Sequence, residues 1–366
     1  MLLTGTGGAG GWPQPGCGCA SCRRASSAGV RRKPAGVLVD GVVEFTPAQL
    51  PSMGTGSPSA AAHRIDTVPG GFDVTGPEGS RLLLAAGPGC EPEPPVGAAP
   101  YDLALLDLLN APAQLGWLRH TGLVHVQTAV VALYTDHRVS SAAELARRCE
   151  LWQACQGEDD QLITTTARLR QPAGGQPRRT LIIGGARSGK STEAELRLAA
   201  EPDVTYVAAG PWQSWTGPDG QPDTEWAARV EQHRARRPSW WQTAETLDVA
   251  GQLRHPGGAL LIDGIGTWLA GVMDSAGLWR DGDSLSVAGQ RAADLVRAEI
   301  GDLIEAWRQT AGTLVAVTDD AGSGLVPEYR SGRVFRDELG WLNQRLAAES
   351  ELVLHVVAGR LTTLPG

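Results

Sequence analysis

The chain has 366 residues, 42% hydrophobic and 20% charged; that length exceeds one ordinary domain, and that apolar content excludes a disordered protein. A formal net charge of −8 argues against a nucleic-acid binder held by phosphate neutralisation and favours a small-molecule partner. No apolar run approaches the roughly 18 residues needed to span a bilayer, and the N-terminus has no charged segment followed by an apolar core, so the sequence reads as soluble and cytoplasmic.

Residues 1–165 read as a first domain of short strands broken by Gly/Pro turns: Gly36–Val43, Gly71–Thr75, Arg81–Ala86, Asp102–Leu108 and Val124–Leu133. Helical periodicity appears there mainly at Ala111–His120 and Ser141–Cys155. Residues 166–179 form the expected linker; its stretch LRQPAGGQPRR (Leu169–Arg179) is polar, rich in Pro and Gly, and without periodicity.

From residue 180 to 366 the pattern changes. Apolar runs at Thr180–Ile183, Val204–Ala208, Ala259–Asp263, Thr313–Thr318 and Leu352–Val357 alternate with helical segments at Lys190–Ala200, Asp223–Arg237, Ala288–Thr310 and Arg333–Ala348. Continuous apolar strands alternating with helices predict an α/β fold, a parallel sheet with helices on both faces.

Only two of the 32 basic residues are lysines, Lys33 and Lys190. Lys33 lies in the basic run RRKP, where Arg would serve equally well. Lys190 belongs to Gly184-Gly185-Ala186-Arg187-Ser188-Gly189-Lys190-Ser191, which fits GxxxxGK[ST] between a predicted strand and a helix start. Such a loop wraps polyphosphate with backbone N–H groups, with Lys190 reaching the β- and γ-phosphates and Ser191 available to Mg²⁺. The acidic partner on the Mg²⁺ side is expected at the end of a later buried strand, and Asp263 supplies it; a loop-capping aspartate is the other reading of that position.

In TEWAARVEQHRARRPSWW (Thr224–Trp241), His233 stands among Arg229, Arg234, Arg236 and Arg237. A solvated arginine-rich helix is one reading. Nucleotidyl transfer is the other, with guanidiniums on phosphate oxygens and an imidazole nitrogen attacking phosphorus.

The ordered set TLIIGGARSGKS, VTYVAAG, TEWAARVEQHRARRPSWWQTAE, LLIDGIGTWL, GSGLVPE and GRVFRDELGWLNQRLAAESELVLHVVAG resembles the bifunctional adenosylcobinamide kinase/adenosylcobinamide-phosphate guanylyltransferase family of cobalamin biosynthesis over about residues 180–366. The resemblance implies a P-loop NTPase-like fold, Mg²⁺ with ATP or GTP, and a homo-oligomer. It also implies two reactions: phosphorylation of the aminopropanol hydroxyl of adenosylcobinamide, then transfer of GMP from GTP through a guanylyl-histidine, giving adenosylcobinamide-GDP. His233 is the matching histidine, with Arg234, Arg237 and Asp320 on the nucleotide side. Three positions depart from the family pattern: Gln232 where some members have a second histidine, Asp319-Asp320 where Asn-Glu is usual, and Gly264 and Gly266 where larger residues are usual. A corrinoid kinase lacking guanylyl transfer and a nucleotide-binding scaffold with both sites degenerate are the competing readings.

Cys17, Cys19 and Cys22 place three thiols within six residues, unlike a disulfide framework spread along a secreted chain. The spacing suits tetrahedral Zn²⁺, while three unligated buried thiols are the plainer reading. The run LLTGTGGAGGWPQPGCGCASCRRA, followed by RRKPAGVLVDG, resembles the phosphodiesterase branch of the metallo-β-lactamase superfamily, an αββα fold. That resemblance implies a structural zinc completed by His137 in VVALYTDH and places Tyr134 where a catalytic metal ligand is usual. None of the seven histidines forms an HxH pair, and Leu82–Ala86 runs into Gly87-Pro88 without an aspartate, so this shortened domain is expected to have no hydrolytic site.

Overall fold

Where a run of alternating apolar residues meets a pair able to take positive φ, the chain folds back, and this sets the first sheet. The Asp40-Gly41 pair does so, with φ of 50° and 73°, splitting the expected Gly36–Val43 strand into a hairpin. The computed structural model describes residues 1–46, 63–68, 70–87, 97–164, 177–210, 224, 228, 231, 234–235, 237–279 and 286–366. It divides into two compact units, Met1–Gly175 with Ala199–Pro202, and Gln176–Leu198 with Asp203–Gly366.

The described strands of the first unit are β1 (Leu2–Gly5), β2 (Gly36–Val39), β3 (Val43–Phe45), β4 (Arg64–Val68), β5 (Gly71–Thr75), β6 (Arg81–Ala85), β7 (Leu103–Leu106), β8 (Ala129–Ala132), β9 (Cys155–Gln156) and β10 (Gln161–Leu162). They form two sheets, ordered β10-β1-β2-β3 and β4-β5-β6-β7-β8-β9. Leu3, Val37 and Phe45 of the smaller sheet share a buried core with Phe72, Leu84, Leu105 and Val131 of the larger. The Phe45 and Phe72 rings meet across it at 5.2 Å between centroids.

Two expected elements are shorter than their patterns for local reasons. A turn in which the His125 N–H donates to Thr128 Oγ1 and the Thr128 N–H to the His125 carbonyl keeps Val124–Thr128 out of β8. The helix Ala142–Leu151 is capped by the Ser141 side chain at its start and stops before Gln153, whose φ is 51°. The helix Ala20–Ser27, not anticipated from periodicity, is capped by the Cys19 side chain.

In the second unit β11 (Arg179–Gly184), β12 (Val204–Ala208), β13 (Gln242–Glu245), β14 (Ala259–Asp263), β15 (Leu314–Asp319), β16 (Leu352–Val357) and β17 (Arg360–Leu364) form one sheet, ordered β13-β12-β14-β15-β11-β16-β17. All pairs are parallel except the β16–β17 hairpin, turned by Ala358 and Gly359 with φ of 50° and 70°. The strands are apolar throughout because both faces are covered. Ile182, Leu261 and Val317 pack with Ala194 and Leu198 of the helix Lys190–Leu198. Leu181, Ile262 and Ala316 pack on the other face with the helices Ile265–Ser275, Val287–Gln309 and Arg330–Ala348. Adjacent strands β11 and β15 are therefore followed by helices on opposite faces, which opens a crevice at their carboxyl ends, the usual ligand position of such sheets. Among the described residues no helix is long and apolar enough to cross a membrane.

A buried ionic cluster in the first unit forms around Asp107. Asp107, just beyond β7 and 1% exposed, receives both oxygens' bonds from the Arg138 guanidinium at 3.1 and 3.3 Å. Arg138 also binds Asp136 Oδ1 at 2.8 Å and the Tyr134 carbonyl at 3.2 Å. Burial raises the Asp107 carboxyl above its ordinary value, against the opposing pull of Arg138. The folded protein thus binds this proton more tightly than the unfolded chain. The stability Asp107 contributes is full below the ordinary carboxylate range and is lost as pH rises through the raised value. The difference in urea midpoint between wild type and Asp107→Asn should accordingly shift in favour of the variant as pH climbs from 4 towards neutrality; a constant difference across that range refutes the assignment.

Candidate functional site

The phosphate loop follows directly from β11. A Cβ at Gly184 would lie 2.6 Å from Ser188 Oγ and 2.7 Å from the Val356 carbonyl, so only glycine lets the loop turn this tightly against β16. Arg187 and Gly189 take positive φ, 56° and 100°, which directs the loop over the start of the helix Lys190–Leu198. Gly185, Ala186, Arg187 and Ser188 complete the turn, and its backbone faces the positive end of that helix.

Side chains from three neighbouring strands converge on this loop. Lys190 Nζ lies 3.2 Å from the Gly185 carbonyl and 3.1 Å from Asp319 Oδ1 at the end of β15. Ser191 Oγ donates to Asp263 Oδ1 at 3.2 Å, and the Tyr206 hydroxyl of β12 donates to Asp263 Oδ2 at 2.8 Å. Burial, with the Asp263 charge adding to it, pushes the Tyr206 phenol well above its ordinary range, so it stays a donor. Asp320 follows on β15: its N–H donates to the Gly184 carbonyl at 3.2 Å, its Oδ1 accepts from Ser323 N–H at 3.3 Å, and its Oδ2 lies 3.4 Å from His355 Nε2.

Arg237 stacks its guanidinium 3.5 Å from the centre of the Tyr206 ring and reaches Thr243 Oγ1 of β13 at 3.3 Å. Arg234 pairs with Glu245 of the same strand. His233 and the neighbouring Gln232 and Arg236 lie outside the described residues, as does Arg229.

The two glycines that looked like departures have structural reasons. Gly264 precedes the helix Ile265–Ser275 with φ of 102°, a conformation costly for any side chain. A Cβ at Gly266 would sit 3.0 Å from Asp319 Oδ2, so the small residue there makes room for the aspartate. Tyr206, His355 and the Lys190–Asp319 pair went unforeseen. Tyr206 sits inside a recognised strand motif and carries no signal beyond its hydroxyl in an otherwise apolar run.

In the first unit, the Cys17, Cys19 and Cys22 sulfurs and a His137 ring nitrogen all lie within 4.8 Å of one another, with Cys17 Sγ 3.9 Å from His137 Nδ1. Three thiols and an imidazole at such separations fit a tetrahedral soft-metal site such as Zn²⁺. The backbone N–H of Cys22 donates to Cys19 Sγ at 3.4 Å and lowers the Cys19 thiol, while burial raises Cys22 to about 11. Tyr134, three residues before His137, is 4% exposed with φ of 63°.

A sequence profile described as cobinamide kinase / cobinamide phosphate guanyltransferase matches residues 180–364. The chain is 36% identical over 183 residues to the bifunctional adenosylcobalamin biosynthesis protein CobU of Escherichia coli (strain K12), covering 49% of this chain and 95% of that protein. It is 36% identical over 188 residues to the CobU of Salmonella typhimurium, again with 49% and 95% coverage. With the bifunctional adenosylcobalamin biosynthesis protein CobP of Pseudomonas aeruginosa it shares 38% over 194 residues, 51% of this chain and 98% of that one.

The cysteine–histidine cluster makes a direct prediction. Metal analysis of the purified chain should find about one equivalent of zinc, released on adding a chelator, and Cys19→Ser should lower that content severalfold; zinc-free wild-type protein, or an unchanged content in the variant, excludes the site.

Proposed function

The chain belongs to the cobinamide kinase / cobinamide phosphate guanyltransferase family, and on that premise we propose how its own residues divide the two transfers. It is a bifunctional adenosylcobinamide kinase and guanylyltransferase of cobalamin biosynthesis. The observation that carries the assignment of the kinase site is the convergence of Lys190, Ser191 and Asp263 at the carboxyl edge of β11 and β14.

In the first transfer the backbone of Gly184–Ser191 binds the β- and γ-phosphates of the nucleoside triphosphate and Lys190 neutralises them. Ser191 and Asp263 would hold Mg²⁺, a hard cation suited to their oxygens, which supplies further neutralisation of the phosphate charge. The oxygen of the corrinoid aminopropanol hydroxyl attacks the γ-phosphorus, its proton passes to solvent, and the nucleoside diphosphate departs. Asp320 completes the acidic side of the pocket, held by Ser323 and His355.

In the second transfer an imidazole nitrogen of His233 attacks the α-phosphorus of GTP and pyrophosphate leaves. An oxygen of the corrinoid phosphate then attacks the guanylyl phosphorus and frees the histidine. Arg234 and Arg237, anchored on β13 through Glu245 and Thr243, bear the phosphate oxygens.

The first unit reads as a shortened metallo-β-lactamase-like domain of the αββα type. Support comes from its two sheets closing on one core, the Cys17/Cys19/Cys22/His137 cluster, and Arg138 neutralising the buried Asp107. With Tyr134 and Arg138 in that region, the domain serves structure or corrinoid docking and not hydrolysis. Domain limits of 1–165 and 180–366, joined by 166–179, accompany this reading. Exposed Leu325, Val326 and Tyr329 support a homo-oligomer in which a neighbouring subunit covers them.

Incubation with GTP labelled at the α-phosphate should leave acid-labile, base-stable label on the protein, absent from His233→Ala. Lys190→Ala should retain that label yet lose phosphorylation of adenosylcobinamide by about a hundredfold or more. An unlabelled wild type that still phosphorylates the corrinoid would instead favour the kinase-only reading. Separately, Asp319 pairs with Lys190 and competes for the cation that binds phosphate, so Asp319→Asn should tighten ATP binding about two- to fivefold, as titration with a fluorescent ATP analogue would register. Equal or weaker binding by the variant counts against that role.

A further inference from the structure

Arg234 and Arg237 belong to the histidine-bearing segment, and Ser191 and Lys190 to the phosphate loop, yet one side chain touches the machinery of both. Tyr206 lies on β12, buried to 4% exposure, between β13 on one side and β14 on the other. In register it faces Thr243 of β13 and Leu261 of β14, and Ala208, two residues on, faces Asp263. Because side chains alternate along a strand, Tyr206, Thr243 and Asp263 project from the same face of the sheet, the face that also carries the helix of Ser191.

The two ends of the Tyr206 side chain have different partners. Its hydroxyl donates to Asp263 Oδ2 at 2.8 Å while Ser191 Oγ donates to Oδ1 at 3.2 Å, so the carboxylate is held from both sides in one rotamer. Its ring carries the Arg237 guanidinium at 3.5 Å, and Thr243 Oγ1 accepts from the same guanidinium at 3.3 Å. A flat ring buried in the sheet gives the guanidinium a platform that fixes its plane.

We propose that Tyr206 is a positioning residue for both transfers, its hydroxyl orienting Asp263 for phosphoryl transfer and its ring face seating Arg237 for guanylyl transfer. This rests on the assignment of the two transfers given above. Tyr206 touches no reacting atom; it acts through one carboxylate and one guanidinium, and the chemistry of its two ends is separable by substitution.

Tyr206→Phe removes the hydroxyl and keeps the ring, and Tyr206→Leu removes both. Each is compared with wild type for corrinoid phosphorylation and for the rate of labelling by α-labelled GTP, after thermal melts have established that the variants are folded. Loss of one hydrogen bond to a charged acceptor predicts that Tyr206→Phe lowers kcat for phosphorylation about ten- to a hundredfold and so shifts the ratio of the two rates towards labelling. Tyr206→Leu should lower both rates, with labelling reduced about fivefold or more beyond Tyr206→Phe. An unchanged phosphorylation rate in Tyr206→Phe, equal losses of both rates in that variant, or equal labelling by the two variants each overturns the inference.

A wild type that performs neither transfer refutes the assigned activity instead. Binding of ATP with and without Mg²⁺ then still decides the positioning role: Tyr206→Phe should reduce the gain in affinity that Mg²⁺ confers, and an undiminished gain overturns it. An unfolded Tyr206→Leu leaves the Phe comparison, which alone supports or refutes the Asp263 half, and Arg237→Lys in the folded protein reads the other: it should slow labelling as loss of the stacked plane does, and wild-type labelling by it overturns the ring's role.

Discussion

The Asp263 carboxylate is where the second unit is tied together. It stands at the carboxyl end of β14, one of the strands nearest the centre of the sheet, and accepts from Ser191 on one side and Tyr206 on the other. Those two donors come from the helix after the phosphate loop and from β12, so one charged group registers three elements. The parallel register pairs Ala208 with Asp263, Asp263 with Val317 and Val317 with Ile182, so β12 and β14 end at one level and β11 runs two residues further, into the phosphate loop. Loop closure over Lys190 and Ser191 then follows from glycines placed where β16 crowds the backbone.

A second carboxylate, Asp319, pairs with the lysine of the phosphate loop. Its pairing with Lys190 places an anion beside the cation that a polyphosphate would take, and Gly266 leaves the space that this aspartate uses. Asp319 and Gly266 are thus a matched pair of departures, one explaining the other through a 3.0 Å approach. Gly264 is a different case, since its φ of 102° would call for glycine whatever stood at residue 319.

In the first unit a half-buried guanidinium neutralises a buried carboxylate. Asp107, buried at the end of β7, retains a full pair of bonds from Arg138, which also gathers Asp136 and the Tyr134 carbonyl. A buried carboxylate needs a cation or a proton, and a planar, permanently charged fork supplies the cation without metal. The cysteines, by contrast, lie on a loop and helix start some way along the chain from His137, and only folding collects them.

Much of this was legible in order along the chain. Val204–Ala208, Ala259–Asp263 and Leu352–Val357 are strands as their apolar runs predicted, and the phosphate loop lies between strand and helix as its glycines and lysine require. Continuous hydrophobicity and local spacing carry such information because they act within a few residues. Short or polar strands such as Gln242–Glu245 and Arg360–Leu364 were invisible, since they exist only as additions to an edge already formed. The same holds for the site. Lys190, Ser191 and Asp263 could be named from motif and position, but the ring of Tyr206 beneath Arg237, the grip of Asp319 on Lys190 and the meeting of His355 with Asp320 depend on which strands lie side by side. Residue type and spacing specify what chemistry a segment can offer; the strand order, set by burying both faces of a sheet, decides which of those groups meet.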